Sequence, residues 1–181
     1  MDKEVYLPHY LADGIIPLRN RYPSNLNLFT FDTETENGEP YLLTVYDGQE
    51  ISFIEVSEET VLDEFLNYLQ SHCPKSKKIH WTNLMFAHNL QFDLTAILSQ
   101  KENEIFRFLH PPRVRHKKGR IKIYCGKTWF AQVELRNGTY VKILDSANFI
   151  KGSLYDISRK LGFSTPKPKR LYFVENGRAP R

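Results

Sequence analysis

Two acidic side chains near residue 30 have the spacing of a divalent-cation site. Asp32 and Glu34 are two residues apart at the end of the run Phe29-Thr-Phe31. Because side chains alternate along a strand, this spacing predicts that both carboxylates lie on one face at a strand end. Carboxylate oxygens are hard ligands of the type that Mg²⁺ and Mn²⁺ prefer. An ordinary exposed acidic turn is the alternative, since Glu36 and Glu39 follow closely.

A second polar group lies at the predicted junction of a buried strand and a helix. It contains Asn89, Phe92 and Asp93. Asp93 reaches a metal held by Asp32 and Glu34 if the two strands are neighbours. The amide of Asn89 suits a sugar or phosphate, and the ring of Phe92 offers a stacking face to a base. The alternative is structural: Asn89 caps the helix and Asp93 favours its first turn.

Positive charge is concentrated in the second half of the chain. Residues 1–100 have 6 Lys and Arg against 15 Asp and Glu, whereas residues 101–181 have 19 against 6. This asymmetry favours a polyanionic partner, and two solvated faces that neutralise each other are the alternative. The run 113–122 predicts either an edge that contacts nucleic-acid phosphates or a solvated loop. Its candidate contacts are Arg113, Arg115, Lys117 and Lys118.

The composition bounds the class of protein. A length of 181 residues suits one domain with a sizeable core. No apolar run approaches the roughly 18 residues of a membrane-spanning helix, and the first residues lack the pattern of a secretory signal. We therefore expect a cytoplasmic protein that is not secreted and has no membrane partner. Two cysteines without a CxxC pair favour a reducing compartment.

The first half of the chain has the turn signals of an antiparallel meander. Asn37-Gly38 and Asp47-Gly48 are two-residue turn signals between strand-like runs, which predicts three strands over about 28–56. A helix follows, with Ser57 as its predicted cap and Pro74 as its stop. Its apolar residues recur at helical spacing.

The rest of the chain alternates between strands and helices, which predicts an α/β fold. A buried strand at 79–86 leads into the helix after Asn89, and strands follow near 121–125, 129–135 and 140–144. Ser153 to Asp156 has the pattern of a capping box that opens a helix ending at Gly162. The predicted division is an irregular lead-in (1–27), a domain (28–165) and a basic, Pro-containing tail (166–181).

The two acidic groups carry a resemblance to a known family. Phe-Asp-Thr-Glu-Thr from residue 31, with His-Asn-Leu-Gln-Phe-Asp from residue 88, resembles the first two motifs of the DEDD 3′→5′ exonucleases, whose fold is ribonuclease H-like. The residues of these two motifs are most similar to those of the proofreading domain of protein-primed family B DNA polymerases of phages, adenoviruses and linear plasmids. The resemblance spans about residues 28–165, is specific at the two motifs and is loose elsewhere.

The resemblance implies a mixed sheet with the meander first, helices on both faces and a truncated C-terminal part. It implies that Asp32, Glu34 and Asp93 hold two divalent metal ions, Mg²⁺ or Mn²⁺. Two such ions about 4 Å apart activate a water and stabilise the leaving oxygen, which releases 5′-mononucleotides. The implied partners are single-stranded DNA at a primer terminus and the rest of a polymerase chain or a terminal protein.

Further positions match those that grip the single-stranded 3′ end in this family. They are Asn89, Phe92 and Ser146. The family usually has Leu after that Ser, and this chain has Ala147, which puts one contact to the terminal nucleotide in doubt. Lys169, or Lys167, is the counterpart of a family lysine that precedes the third motif.

The family's third motif, Tyr-x-x-x-Asp, is not found in this sequence. Tyr172 is followed by Glu175 at three residues and Asn176 at four, so neither spacing nor ligand matches. Three of four carboxylates would hold metal weakly. The chain is therefore expected to be the exonuclease portion of a polymerase, with a site that is incomplete because the third motif is missing. The alternatives are a single-strand-binding module with weak or no catalysis, and a metal-dependent RNase or mobile-element nuclease.

Overall fold

Eight strands and three α-helices make up the part of the chain that the computed structural model describes, residues 26–76, 82–99, 112–125 and 128–160. The strands are β1 (Asn27–Glu36), β2 (Glu39–Tyr46), β3 (Ile51–Glu55), β4 (Asn83–Ala87), β5 (Arg113–His116), β6 (Gly119–Tyr124), β7 (Phe130–Leu135) and β8 (Tyr140–Asp145). The helices are α1 (Val61–His72), α2 (Leu90–Leu98) and α3 (Leu154–Lys160), and a 3-10 turn covers Ser146–Asn148.

The first three strands form the predicted antiparallel meander, which confirms that prediction. Asn37 and Gly38 both have positive φ, 53° and 88°, as in the type I′ turns that Asn-Gly favours. The pairing of β1 with β2 has a bulge between Glu34 and Thr35. A bulge bends its strand locally, and this one lies beside the acidic pair.

Three parallel strands form the centre of the sheet. The order is β3-β2-β1-β4-β8-β7-β6-β5, in which β4 runs parallel to both β1 and β8 and the other pairs are antiparallel. The α/β class and the mixed sheet are confirmed, and the topology is consistent with a ribonuclease H-like fold. Because β1 and β4 are neighbours, the condition that the sequence set for Asp93 is met.

Helices α1 and α2 both pack on one face of this sheet. The rings of Phe31 and Phe65 lie 5.3 Å apart between centroids. Phe29, Phe31 and Thr33 of β1 are buried on this face, and Asp32 and Glu34 alternate with them. Helices on the second face stay a prediction, because α3 belongs to a separate compact unit.

The start of α1 differs from the prediction. Thr60 occupies the N-cap position, so the cap predicted at Ser57 is wrong by three residues. The reason is local: the Ser57 carbonyl accepts the N–H groups of Thr60 and Val61, at 3.0 and 2.9 Å, and forms a turn before the helix. Residues 79–81 of the predicted strand and the predicted stop at Gly162 lie outside the described residues.

The basic run is a β-hairpin, so the solvated-loop interpretation is wrong. β5 and β6 pair with Lys117 and Lys118 at the turn. Alternation places Val114 and Ile121 in the core. Their polar neighbours face away from it, and this arrangement makes a charged edge to the sheet. We call residues 113–124 the basic hairpin.

The chain divides into two compact units, residues 16–148 and residues 149–181 together with 1–15. In the second, α3 begins with the predicted capping arrangement: Ser153 Oγ accepts the N–H of Asp156 at 3.1 Å and donates to its carboxylate at 2.7 Å. The domain limits predicted from sequence stay predictions. None of the described helices is long and apolar enough to cross a membrane.

Candidate active site

The carboxyl ends of β1, β4 and β8 bring the predicted site residues to one edge of the sheet. Asp32 and Glu34 lie in the second half of β1, Asn89 follows β4, and Ser146 follows β8. Ligands of open α/β sheets bind at the carboxyl ends of the strands. The location therefore fits a functional site.

Asp93 ties helix α2 to the acidic segment of β1. Its carboxylate is buried, with 1% of the residue exposed. Its Oδ1 accepts two hydrogen bonds from Thr33, one from the backbone N–H at 2.9 Å and one from the hydroxyl at 2.6 Å. Thr33 is the residue between Asp32 and Glu34. The second motif is therefore bonded to the middle of the first, across 60 residues of sequence.

Asp32 and Glu34 are both half-buried on the opposite side of β1 from Thr33. Burial raises the pKa of the neighbouring Tyr41 hydroxyl, and the negative charges of Glu34 and Glu36 add to this increase. Oxygen donors of this type suit Mg²⁺ or Mn²⁺. Among the described residues, however, no three His, Cys, Asp or Glu side chains are placed to hold a metal ion. The ligand types therefore fit a divalent metal ion, but the described side chains are not placed to bind one.

Asn89 is held by its backbone and does not cap α2 with its side chain. Its φ of 69° and ψ of 56° are left-handed, and no side-chain cap bond is formed. Asn is one of the few residues that adopt this conformation readily. The N–H of Asn89 donates to Asp145 Oδ1 at 3.0 Å, and the same oxygen accepts the N–H of Ala147 at 2.9 Å. The predicted N-cap position is therefore confirmed, but the side chain of Asn89 makes no capping hydrogen bond.

Two further residues line the same edge. Ser146 Oγ lies 3.1 Å from His88 Nδ1 and forms a hydrogen bond with it. Phe92 is 48% exposed on the first turn of α2. A ring with half its surface in water suits stacking on a base better than it suits packing.

The basic hairpin separates its four predicted contacts into two sets. Lys117 and Lys118, at the turn, both contact Asp63 of α1. Arg113 and Arg115, on β5, alternate with the buried Val114. Lys169 lies outside the described residues.

Sequence reasoning missed a buried acidic residue of β7, the strand next to the basic hairpin. Glu134 of β7 is 6% exposed and pairs with Arg120 and with Lys122, the latter at 2.8 Å. Burial alone would raise the pKa of Glu134, but the hydrogen bonds and charges of Lys122 and Arg120 hold it below its usual range.

Asp145 and Thr33 are the other residues that sequence reasoning missed. Both act at the site through long-range hydrogen bonds, to Asn89 and to Asp93 respectively. The available signal for Asp145 was an acidic residue at the end of a strand, directly before Ser146. Thr33 gave no signal beyond its place between two carboxylates.

Comparison with known proteins shows the fold of this chain. No protein-family model matches the sequence, and no curated protein matches it. Phi29 DNA polymerase is similar in structure. Its post-translocation binary complex with primer-template DNA has a TM-score of 0.54 and 16% identity. Its ternary complex with primer-template DNA and incoming nucleotide substrates has a TM-score of 0.56 and 15% identity.

In both comparisons the alignment covers 83% of this chain and 26% of the polymerase. The chain therefore spans about a quarter of the length of that enzyme. TM-scores above 0.5 show a shared fold, and the 15–16% identity supports nothing finer, so the chain has a fold found in phi29 DNA polymerase.

Proposed function

We propose that this chain is a 3′→5′ exonuclease-type domain that acts on single-stranded DNA ends, like the proofreading part of protein-primed family B polymerases. The observation that carries the proposal is the pair of hydrogen bonds between Asp93 and Thr33. They join the second motif to the residue between Asp32 and Glu34. The similarity to phi29 DNA polymerase, whose solved complexes contain primer-template DNA, supports the same assignment.

The loop after β4 suits the binding of a DNA end. Asp145 accepts the backbone N–H of Asn89 and fixes the loop. We assign to the side-chain amide of Asn89 a contact with the DNA end. Phe92 follows with an exposed ring, and we assign to it the stacking of the terminal base. Ser146, bonded to His88, contributes a hydroxyl at the end of the neighbouring strand.

Divalent cations, Mg²⁺ or Mn²⁺, are part of the proposal. The carboxylates of Asp32, Glu34 and Asp93 have the right chemistry for them, but the described side chains do not converge on a single point. Metal binding therefore needs its own measurement. Calorimetric titration with Mn²⁺, in the parent chain and in Asp93→Asn, tests it without relying on cleavage.

The main experiment is the degradation of a 5′-labelled single-stranded oligonucleotide in Mg²⁺ and then in Mn²⁺. Asp32→Ala with Glu34→Ala is the test variant. Glu36→Ala with Glu39→Ala is its control, because this pair removes the same charge from exposed positions at the adjacent turn. We expect a ladder of shortened products from the parent and the control, and none from the test variant.

If Asp32→Ala/Glu34→Ala shortened the oligonucleotide at the rate of the parent, the site assignment would be wrong. Shortening of an RNA strand of the same sequence at the rate of the DNA strand would instead favour a nuclease that tolerates the 2′-hydroxyl.

A single-strand-binding module without catalysis is the second candidate function. The lack of a converged metal-binding group among the described residues favours it. This function predicts that the parent binds the labelled strand and leaves it intact in both metals. It also predicts that Asp32→Ala/Glu34→Ala binds as well as the parent.

A further inference from the structure

The turn of the basic hairpin is attached to α1 through a single carboxylate. Asp63 Oδ1 lies 3.0 Å from His116 Nε2 and 3.2 Å from Lys118 Nζ, and Asp63 Oδ2 lies 3.1 Å from Lys117 Nζ. Three consecutive residues of the hairpin therefore place a side-chain nitrogen within 3.2 Å of one carboxylate, and Lys117 donates a hydrogen bond to its Oδ2. Lys118 Nζ also donates to the backbone carbonyl of Asp63 and to the Asn67 side chain.

Contacts within the hairpin turn determine where His116 carries its proton and keep Asp63 charged. The backbone N–H of Lys118 donates to His116 Nδ1 at 3.2 Å, so a neutral His116 carries its proton on Nε2, the nitrogen that lies 3.0 Å from Asp63. Hydrogen bonds from Lys117 and Lys118 keep the pKa of Asp63 below its usual range. Asp63 is therefore an anion at neutral pH, in contact with both lysines of the hairpin turn.

A phosphate diester has the same recognition chemistry as this carboxylate. Each presents two oxygens that share one negative charge and accept charge-assisted hydrogen bonds. The Asp63 side chain is 34% exposed and that of Lys117 is 71% exposed. Ion pairs at such exposed positions are weak and screened by salt, so a polyanion with several phosphates can replace the carboxylate.

We propose that the turn of the basic hairpin is a backbone-phosphate site for single-stranded DNA in which Asp63 occupies the place of the phosphate. Asp63 and DNA then compete for Lys117 and Lys118, and the carboxylate weakens DNA binding until it is displaced. This inference rests on the proposed binding of single-stranded DNA. It adds a self-inhibitory contact between α1 and the hairpin turn.

The test compares two variants that each remove one negative charge from the first turn of α1. Asp63→Asn removes the anion that contacts the hairpin. Glu64→Gln is the matched control, since Glu64 lies next to it in the same helical turn. Binding of a labelled oligothymidylate is measured in EDTA, which prevents cleavage, over a series of NaCl concentrations.

We expect Asp63→Asn to raise the affinity roughly two- to fivefold at low salt, the range that corresponds to an exposed ion pair. DNA displaces the carboxylate when it binds the parent, so both proteins neutralise the same phosphates and the plot of log affinity against log salt should keep its slope. Glu64→Gln should leave the affinity close to that of the parent. Adding Lys117→Ala and Lys118→Ala to Asp63→Asn should remove the gain.

Equal effects of Asp63→Asn and Glu64→Gln, with a parent that binds, would overturn the competition and leave the proposed function intact. Absence of binding by the parent and by Asp63→Asn would overturn both. If Asp63→Asn lacks the circular dichroism spectrum of the folded parent, Lys117→Ala replaces it as the test. That variant should lower the affinity and flatten the slope by about 0.7, and an unchanged slope would overturn the inference.

Discussion

The two ends of the parallel strands β1, β4 and β8 use polar side chains in opposite ways. At the amino end, Asn83 is fully buried, and its amide donates to the carbonyls of Pro74 and Tyr140, at 2.8 and 2.9 Å. Its oxygen accepts from Asn27 at 3.0 Å. At the carboxyl end, the buried polar groups are carboxylates, Asp93 and Asp145, which accept backbone N–H groups.

The difference concerns the charge of the buried groups. A neutral amide at the amino end satisfies backbone groups at little electrostatic cost. Burial of a carboxylate is much more expensive unless it is paired or hydrogen-bonded. Asp93 and Asp145 are hydrogen-bonded, but with half-buried Asp32 and Glu34 they bring four carboxylates to one end of the sheet, an arrangement whose mutual repulsion stability alone explains poorly. Under the proposed function, the amino end stabilises the sheet and the carboxyl end binds the DNA terminus.

Asp93 gives the sharpest way to test this comparison. Asp93→Asn retains an oxygen that can accept both hydrogen bonds from Thr33, so we expect the melting temperature to change little. Loss of the negative charge should reduce cleavage by about 10²–10³-fold, the cost of removing one preorganised electrostatic group. Rates on the labelled oligonucleotide and a thermal melt measure the two effects.

Asp93→Ala is the control for that variant, because it removes both the charge and the hydrogen-bond acceptor. It should lower stability by about 2 kcal/mol through the unsatisfied Thr33 groups. If Asp93→Asn cleaved the oligonucleotide at the rate of the parent, Asp93 would have only a structural role, like Asn83.

Asn83→Ala tests the amino end. It removes the donor to the part-buried carbonyls of Pro74 and Tyr140 and the acceptor of Asn27, and we expect a loss of about 2 kcal/mol in the free energy of unfolding. DNA binding measured well below the melting temperature should be unchanged. Asn27→Ala, which removes one hydrogen bond of the same network, should cost less.

Cys73 reports on the same end of the sheet. It is buried next to Pro74, and burial raises the pKa of its thiol to about 12. The thiolate is the reactive form, so iodoacetamide should label the exposed Cys125 in the native parent and spare Cys73. Asn83→Ala should speed the labelling of Cys73. An unchanged labelling rate would mean that this network does not hold the amino end closed.

The parts of the fold with local signals were predictable from the sequence. The Asn-Gly pair at residues 37–38 specifies a turn with positive φ, and that turn fixes the register of β1 and β2. The spacing of Asp32 and Glu34 gave their shared side of β1 by alternation alone. The neighbouring β1 and β4 brought Asp93 to Thr33, the residue between these two carboxylates, but not to the carboxylates themselves as a metal-binding group.

The first strand of the basic hairpin was missed because it has almost no apolar signal, whereas the strand predicted near 121–125 is confirmed as β6. In β5 one apolar residue, Val114, stands among Arg and His, and edge strands tolerate such charge because one side faces solvent. Gly119 was the available clue. A Cβ at this position would lie 2.2 Å from the Glu134 carbonyl, so only glycine permits this approach of β6 to β7. Such contacts depend on strand order, which the local pattern does not contain.

The smallest expected effect lies at the solvent side of the carboxyl end, in Phe92. Its ring is 48% exposed, so Phe92→Ala should change the melting temperature little. Stacking on a base is worth about 1–3 kcal/mol, and a half-exposed ring at the lower end of that range predicts a roughly fivefold loss of single-strand affinity. Phe92→Trp, which retains an aromatic face, should bind as the parent does. A loss of affinity in both variants would show that the shape of the phenylalanine ring matters. No loss of affinity in either would show that Phe92 does not contribute to DNA binding.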